Sequence, residues 1–182
     1  MMANKSYKGR TFEIALATQL SLWWTEGERD DVFWHTHDSG GRATKRAAKG
    51  KKTKNLHGDI CAVDPIGQPL IDMITFEAKR GYNRHTLADL LDKPDGAAAQ
   101  EWEKWIEKAH TSQVNAGSLS WMIVAKRDRR DVLCVCPMAL LVRLGVDKFA
   151  ARIWLEEGQL GAMKLAEFLN TVHPNRIRQP TT

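Results

Sequence analysis

The sequence predicts an α/β fold, a mixed central β-sheet flanked by helices, and three features carry that prediction. Residues 5–24 repeat apolar side chains at helical spacing. Residues 59–79 hold two β-prone runs on either side of a Pro- and Gly-containing turn, the signal of a hairpin. A further helical stretch, 97–116, leads into two apolar β-prone runs at 119–125 and 132–136. The order is therefore helix, short strand, hairpin, helix, strand, strand, helix, which sets helices against the faces of one sheet. With 182 residues, 43% of them hydrophobic, the chain is long enough for a single domain with a real core.

In the first helix Phe12, Leu16, Ala17, Leu20, Trp23 and Trp24 fall within one arc of roughly 140°. Glu13 projects into the same arc, among Leu16, Ala17, Leu20 and Trp24. A carboxylate in a buried stripe needs a partner. It is either ion-paired to a basic residue at the core edge or aimed at a shared metal site. A polar loop, 25–31, leads to a short strand at 32–36 and a turn at 39–41. From Arg42 to Lys54 there are then seven basic residues: Arg42, Lys45, Arg46, Lys49, Lys51, Lys52 and Lys54. Its only apolar residues are Ala43, Ala47 and Ala48, so it reads as a mobile arm, spanning about 40–56, without a core of its own. It is either a solvated charge run or a phosphate-binding arm that orders on nucleic acid.

The arm feeds into the hairpin. Its first strand is Asp59–Val63, its turn Asp64–Pro69 and its second strand Leu70–Lys79. Side chains alternate along a strand, so Glu77 and Lys79 share a face, and Asp59 lies beside them on the neighbouring arm. Two carboxylates and a lysine converging on apolar strands are costly to bury without compensation, and a divalent cation would supply it. Asp64 is explained as a turn residue before Pro65, and Asp72 falls on the opposite face by parity.

Beyond the hairpin, Thr86–Leu91 reads as a short helix with Thr86 as cap, broken by residues 93–96. The long helix has an inner stripe of Trp102, Ile106, Ala109 and Gln113. Gln113 is either a hydrogen-bonded core-edge amide or a site residue directed at a bound water or phosphate. Pro137 opens a helix at 138–144. Residues 149–155 fit strand or helix, 164–172 fit a helix, and about 146–182 form a C-terminal extension with no assigned chemistry.

The net charge of +5 favours an anionic partner. Three cysteines, an odd number, and an N-terminus without an apolar leader suit a reducing, cytoplasmic setting. No run reaches the ~20 apolar residues of a membrane span. There is no Gly-rich phosphate loop, which argues against nucleotide hydrolysis. Cys134-x-Cys136 has the wrong spacing for a zinc knuckle, and His35-x-His37 lacks a third ligand.

At Gly58-Asp59 and Glu77-Ala78-Lys79 the chain resembles the PD-(D/E)xK nuclease superfamily over roughly residues 5–136. Gly58 stands where the family name has Pro. Glu13 matches the upstream helical Glu that joins the site in that superfamily. The opening Gly9, Arg10 and Glu13 look like archaeal and phage Holliday junction resolvases. The resemblance implies a restriction-endonuclease-like core and a Mg2+-dependent nuclease, with Mn2+ as a substitute. Asp59, Glu77 and the Ala78 carbonyl would be metal ligands, with Glu13 at a second ion or an outer-sphere water. Lys79 would orient water or stabilise the phosphorane, and Gln113 would join the catalytic set. Arg10, the basic arm and His57 would contact DNA. The resemblance also raises action on branched DNA, a homodimer and, for a phage protein, the host cytoplasm. The alternative is a nucleic-acid-binding protein that does not cleave.

Overall fold

A computed structural model describes residues 5–36, 57–94, 96–155 and 158–178. All seven basic residues of the predicted arm, Arg42 to Lys54, lie outside the described residues, as does His37. Helix α1 runs from Lys5 to Trp24 and buries the expected stripe of Phe12, Leu16, Ala17, Leu20 and Trp24. Trp23 is half-buried, and its indole N–H donates to the Val172 carbonyl at 3.0 Å.

The region after α1 departs from the predicted hairpin. Strand β1 (Phe33–His35) pairs antiparallel with β2 (Ile60–Ala62), and the two form a separate small sheet. Residues 70–73, expected to be strand, belong instead to helix α2 (Gln68–Met73), which follows a 3-10 turn at Pro65–Gly67. Asp64 caps that turn, accepting the Ile66 N–H at 3.0 Å. Pro69 lies in the first turn of α2, where its missing N–H costs nothing; mid-strand it would break a ladder. Leu70, Ile71, Met73 and Ile74 are all buried, a helical spacing rather than an alternating one. Asp64 thus keeps its turn role, while the second arm is confined to β3 (Ile74–Arg80).

The central sheet has five strands in the order β3-β4-β5-β7-β6. Strand β4 (Ser120–Lys126) runs parallel to β3, so a crossover must join them. A 3-10 turn at Leu87–Leu90 and helix α3 (Glu101–Ala116) carry it. Strand β5 (Val132–Pro137) returns antiparallel and leads into helix α4 (Met138–Arg143). Residues 151–155, open between helix and strand in the sequence, form strand β6 (Ala151–Leu155) at the far edge. Strand β7 (Gly158–Lys164), absent from the sequence reading, lies between β5 and β6. Two glycines dilute its β signal. One of them, Gly161, sits directly under the Leu141 side chain of α4, where a Cβ would collide with Leu141 and approach Met138 Sδ to 3.3 Å.

Helices cover both faces of the sheet. On one face α1, α2, α4 and the C-terminal helices α5 (Leu165–Thr171) and α6 (Asn175–Arg178) contribute to one apolar cluster. On the other, Trp102, Trp105 and Ala109 of α3 pack against Trp121, Ile123, Val135, Leu160 and Ala162. The C-terminus is tied back to α1: the Arg178 guanidinium stacks 4.6 Å from the Trp24 ring centroid and donates to the Trp24 carbonyl. The predicted α/β class with a mixed, helix-flanked sheet is therefore borne out. Among the described residues no helix is long and apolar enough to cross a membrane.

The packing over Gly161 generates a stability prediction. Gly161→Ala should overpack the α4–β7 contact and cost about 1–3 kcal/mol. A lower urea midpoint with an unchanged m-value is the expected outcome.

Candidate active site

The site is built on an exposed sheet edge. Strand β3 pairs with β4 on one side only, and its other edge has no strand partner among the described residues. Backbone groups along a strand alternate in direction, so Phe76 and Ala78 point outward while Glu77 and Lys79 bond toward β4. The segment entering β2 docks on this free edge. The Asp59 N–H donates to the Phe76 carbonyl at 2.7 Å, and the Ala78 N–H donates to Asp59 Oδ2 at 2.7 Å. Asp59 is thus held beside β3 by backbone and side chain together, without a hairpin. The Ala78 carbonyl faces the same edge.

Gly58 makes this docking possible. Its φ is +83°, and a Cβ there would lie 2.8 Å from the Phe76 carbonyl oxygen. Both the left-handed backbone and the close approach require glycine. The proline of the superfamily name, with φ fixed near −65°, could not take this conformation.

Glu77 is the buried centre of the site, only 1% exposed. Its Oε2 accepts from Lys79 Nζ at 2.7 Å and from Lys108 Nζ at 2.8 Å, and its Oε1 accepts from Ser112 Oγ at 3.2 Å. Burial pushes its pKa upward, but the charges of Lys79 and Lys108 outweigh that and hold the carboxyl below its ordinary value. Lys108 and Ser112 are additions that the sequence reading missed. The inner stripe of α3 buries Trp102, Trp105 and Ala109, with Ile106 only partly buried. The helix is therefore rotated from the predicted stripe, and that rotation turns Lys108 and Ser112, one turn apart, toward β3. The legible signal was the Trp102-x-x-Trp105 pair, which marks the buried face better than Ile106 does.

Asp59 and Glu13 behave in the opposite way. Burial first, and then the nearby Glu77 charge, raises the Asp59 pKa. Burial and then Asp59 raise that of Glu13, while Lys79 and Lys108 pull it down. The charges of Asp59, Lys79, Lys108 and Glu77 all act on Glu13, so α1 carries it within electrostatic range of the cluster, and no salt bridge holds it among the described residues. Neighbouring carboxylates thus add to the effect of burial at Asp59 and Glu13. Glu77 differs because the two ammonium groups of Lys79 and Lys108 compensate it.

The remaining predicted residues separate. Gln113 does not join the cluster: its Nε2 donates to the Ser118 carbonyl at 2.6 Å, closing the end of α3 where Gly117 adopts φ +71°. Arg10 is exposed on α1, one turn before Glu13. His57, expected to contact DNA, is buried, and burial lowers its pKa. Cys134 and Cys136 are buried free thiols, and burial pushes the Cys134 pKa up to about 12.

Among the described residues no three His, Cys, Asp or Glu side chains form a ready metal-ligand cluster. The oxygen donors nevertheless fit a hard divalent cation. Asp59 and Glu77 flank the outward-facing Ala78 carbonyl, with Glu13 nearby. Burial, and after it neighbouring carboxylate charge, raises the pKa values of Asp59 and Glu13 against the pull of the two lysines, a cost to their ionised forms. A cation would relieve it.

These opposed shifts fix the sign of the pH dependence. Asp59 binds its proton more tightly folded than unfolded, so its contribution to stability falls as pH rises through the raised pKa. Glu77, with its depressed pKa, contributes stability above the unfolded carboxylate pKa that is lost as pH falls through the folded value. Asp59→Asn, which keeps an acceptor for the Ala78 N–H, should stabilise the metal-free protein by roughly 1 kcal/mol at about pH 8. The gain should vanish near about pH 3, where both forms are neutral. Urea unfolding at the two pH values in EDTA measures it, and an equal gain at both would contradict the assignment.

No curated protein and no solved structure matches the chain. A family-level comparison does match, over residues 4–178, to the family described as "Phage putative PDDEXK endonuclease". The match runs past residue 136 and takes in β6, β7 and the C-terminal helices, which the fold joins to the same sheet and core. Acidic and basic side chains gathered on the open edge of β3 and a family match spanning nearly the whole sequence agree: the chain belongs to this phage PDDEXK endonuclease family.

Proposed function

We propose that the protein is a Mg2+-dependent endodeoxyribonuclease, with Mn2+ able to substitute, that hydrolyses phosphodiester bonds in DNA, including branched DNA. The observation that carries this reading is the meeting of Asp59, Glu77 and Lys79 at the free edge of β3, with Glu13 turned toward them. PDDEXK nucleases generally use divalent metal ions. Asp59, Glu77 and the Ala78 carbonyl would hold the cation, and Glu13 an outer-sphere water or a second ion. When bound, the cation neutralises phosphate charge and provides hydroxide at neutral pH.

The chain's own residues do the rest. Lys79, fixed 2.7 Å from Glu77, keeps its ammonium at the site, where it can orient the attacking water and stabilise charge building on the phosphate oxygens. Lys108 shares Glu77 and so keeps that carboxylate ionised at neutral pH. Ser112 fixes its other oxygen. The basic residues Arg42–Lys54, with Arg10, would bind backbone phosphates and make affinity strongly salt-dependent. In a phage setting the host cytoplasm would be the site of action.

A second reading, a DNA-binding protein that does not cleave, draws on one observation: both Glu77 oxygens already have partners. Incubation with plasmid, single-stranded and four-way-junction DNA under Mg2+, Mn2+ or EDTA separates the two. Cleavage that requires metal and falls at least about 100-fold in Glu77→Ala and Lys79→Ala is expected. Cleavage surviving EDTA would sink the proposal, and salt-sensitive binding without turnover under either metal would favour the second reading. Lys108→Met should lower activity by roughly tenfold and shift the acid limb of the pH–rate profile upward, because Glu77 loses one of its two compensating charges. An unchanged acid limb would remove Lys108 from the catalytic machinery.

A further inference from the structure

A hollow of about 280 Å³ lies next to Lys79, between the start of the crossover and the ends of β4 and β5. Its apolar side is aromatic: Tyr82, His85, Trp102 and Trp105. Trp105 makes edge contacts with Tyr82 (centroids 4.8 Å, 73°) and with Trp102 (4.9 Å, 61°). The two tryptophans are buried in the α3 layer, so this floor is rigid, whereas Tyr82 and His85 are half-buried at its rim. The lining also carries the basic residues Lys126, Arg127, Arg130 and Lys164, with Asp131 as the acid. Asp131 is taken by Lys164 at 2.9 Å, and among the described residues no salt bridge holds Arg127 or Arg130.

We propose that this hollow receives one unstacked nucleotide of the DNA strand being cut, its base lying against the Tyr82–Trp105 wall and its phosphate on the Lys126–Arg130 segment. The inference deepens the nuclease reading and rests on it for the identity of the strand. An aromatic wall beside a basic rim, in which Arg127 and Arg130 have no salt bridge among the described residues, matches a nucleotide, which joins a flat π-surface to an anion. The volume sits at the lower end of ligand pockets and suits one ring system, not a base pair. A duplex could fill it only by extruding a nucleotide. Lys79 lines both this hollow and the carboxylate cluster, so the captured nucleotide would neighbour the phosphate under attack. The protein would then favour single strands, frayed ends and junction branch points, where bases are already unstacked.

The test measures binding without turnover. Full-length protein in EDTA is titrated with a single-stranded oligonucleotide carrying 2-aminopurine, with the matching blunt duplex, and with a deoxynucleoside monophosphate. The single strand should bind more tightly than the duplex at equal salt. Tyr82→Ala should weaken single-strand binding about tenfold, the scale of one lost stacking contact, with duplex binding unchanged. Tyr82→Phe, which keeps the ring, should restore it. Photo-crosslinking of wild-type protein to a 5-iododeoxyuridine strand should map to residues 82–105, a readout that does not depend on the variant folding. Equal single-strand affinity in Tyr82→Ala and wild type, crosslinks confined elsewhere, or a monophosphate binding as tightly as the strand would overturn the inference. Failure of the nuclease reading shows separately, as no cleavage of any DNA with either metal, whatever these binding results are.

Discussion

The structure depends on one buried charge. Glu77 lies in β3 with almost no solvent contact, and its carboxylate is held by Lys79 from its own strand and by Lys108 from α3. A carboxylate buried in this way destabilises the fold by several kcal/mol unless it is paired and fully hydrogen-bonded. The pairing dictates much of the architecture around it. Strand β3 stands at an edge of the sheet, so one side of it has no strand partner among the described residues. Helix α3 must cross the sheet at an angle that sets Lys108 and Ser112 over Glu77, and the Trp102–Trp105–Ala109 stripe fixes that angle. The parallel β3–β4 pairing, with its long crossover, leaves room for α3 to do so.

Around Glu77 the site keeps an electrostatic imbalance. The two lysines satisfy Glu77 and leave Asp59 and Glu13 with raised pKa values. Stability alone would place another cation there or replace the acids with apolar groups. Retaining them costs folding free energy and keeps hard oxygen donors beside an outward-facing backbone carbonyl, the arrangement a divalent ion needs. Gly58 shows the same priority: a left-handed residue against the Phe76 carbonyl serves the placement of Asp59 at a free strand edge. That edge is the one an unprotected sheet would offer to another chain. Here the Asp59 segment occupies part of it.

Much of the site was legible because its signals are local. Glu77 and Lys79 lie two apart on one strand, and alternation alone puts them on one face. Glu13 stood out as a charge within a helical stripe, and the α1 stripe was read almost residue for residue. Residues 70–73 were misread because Leu-Ile followed by Met-Ile suits a strand as well as a helix, and the meaning of Pro69 depends on which one forms. Lys108 was invisible for a related reason: it is an ordinary surface lysine until the helix phase is known. A stripe through Ile106 aims Gln113 at the sheet, whereas the observed stripe through Trp105 turns Ser112 toward it.

The sequence by itself determined the α/β class, the helical Glu13 and the Glu77–Lys79 pair, because periodicity and spacing act through the chain's own backbone; the docking of Asp59 beside them is a tertiary outcome. Tertiary structure alone decided that β2 pairs with β1, that β7 enters between β5 and β6, and that Lys108 and Ser112 complete the Glu77 site. Those outcomes turn on which distant segments meet and on how a helix rotates against a sheet. Both are set by competition among many packing contacts, and no local pattern encodes the winner.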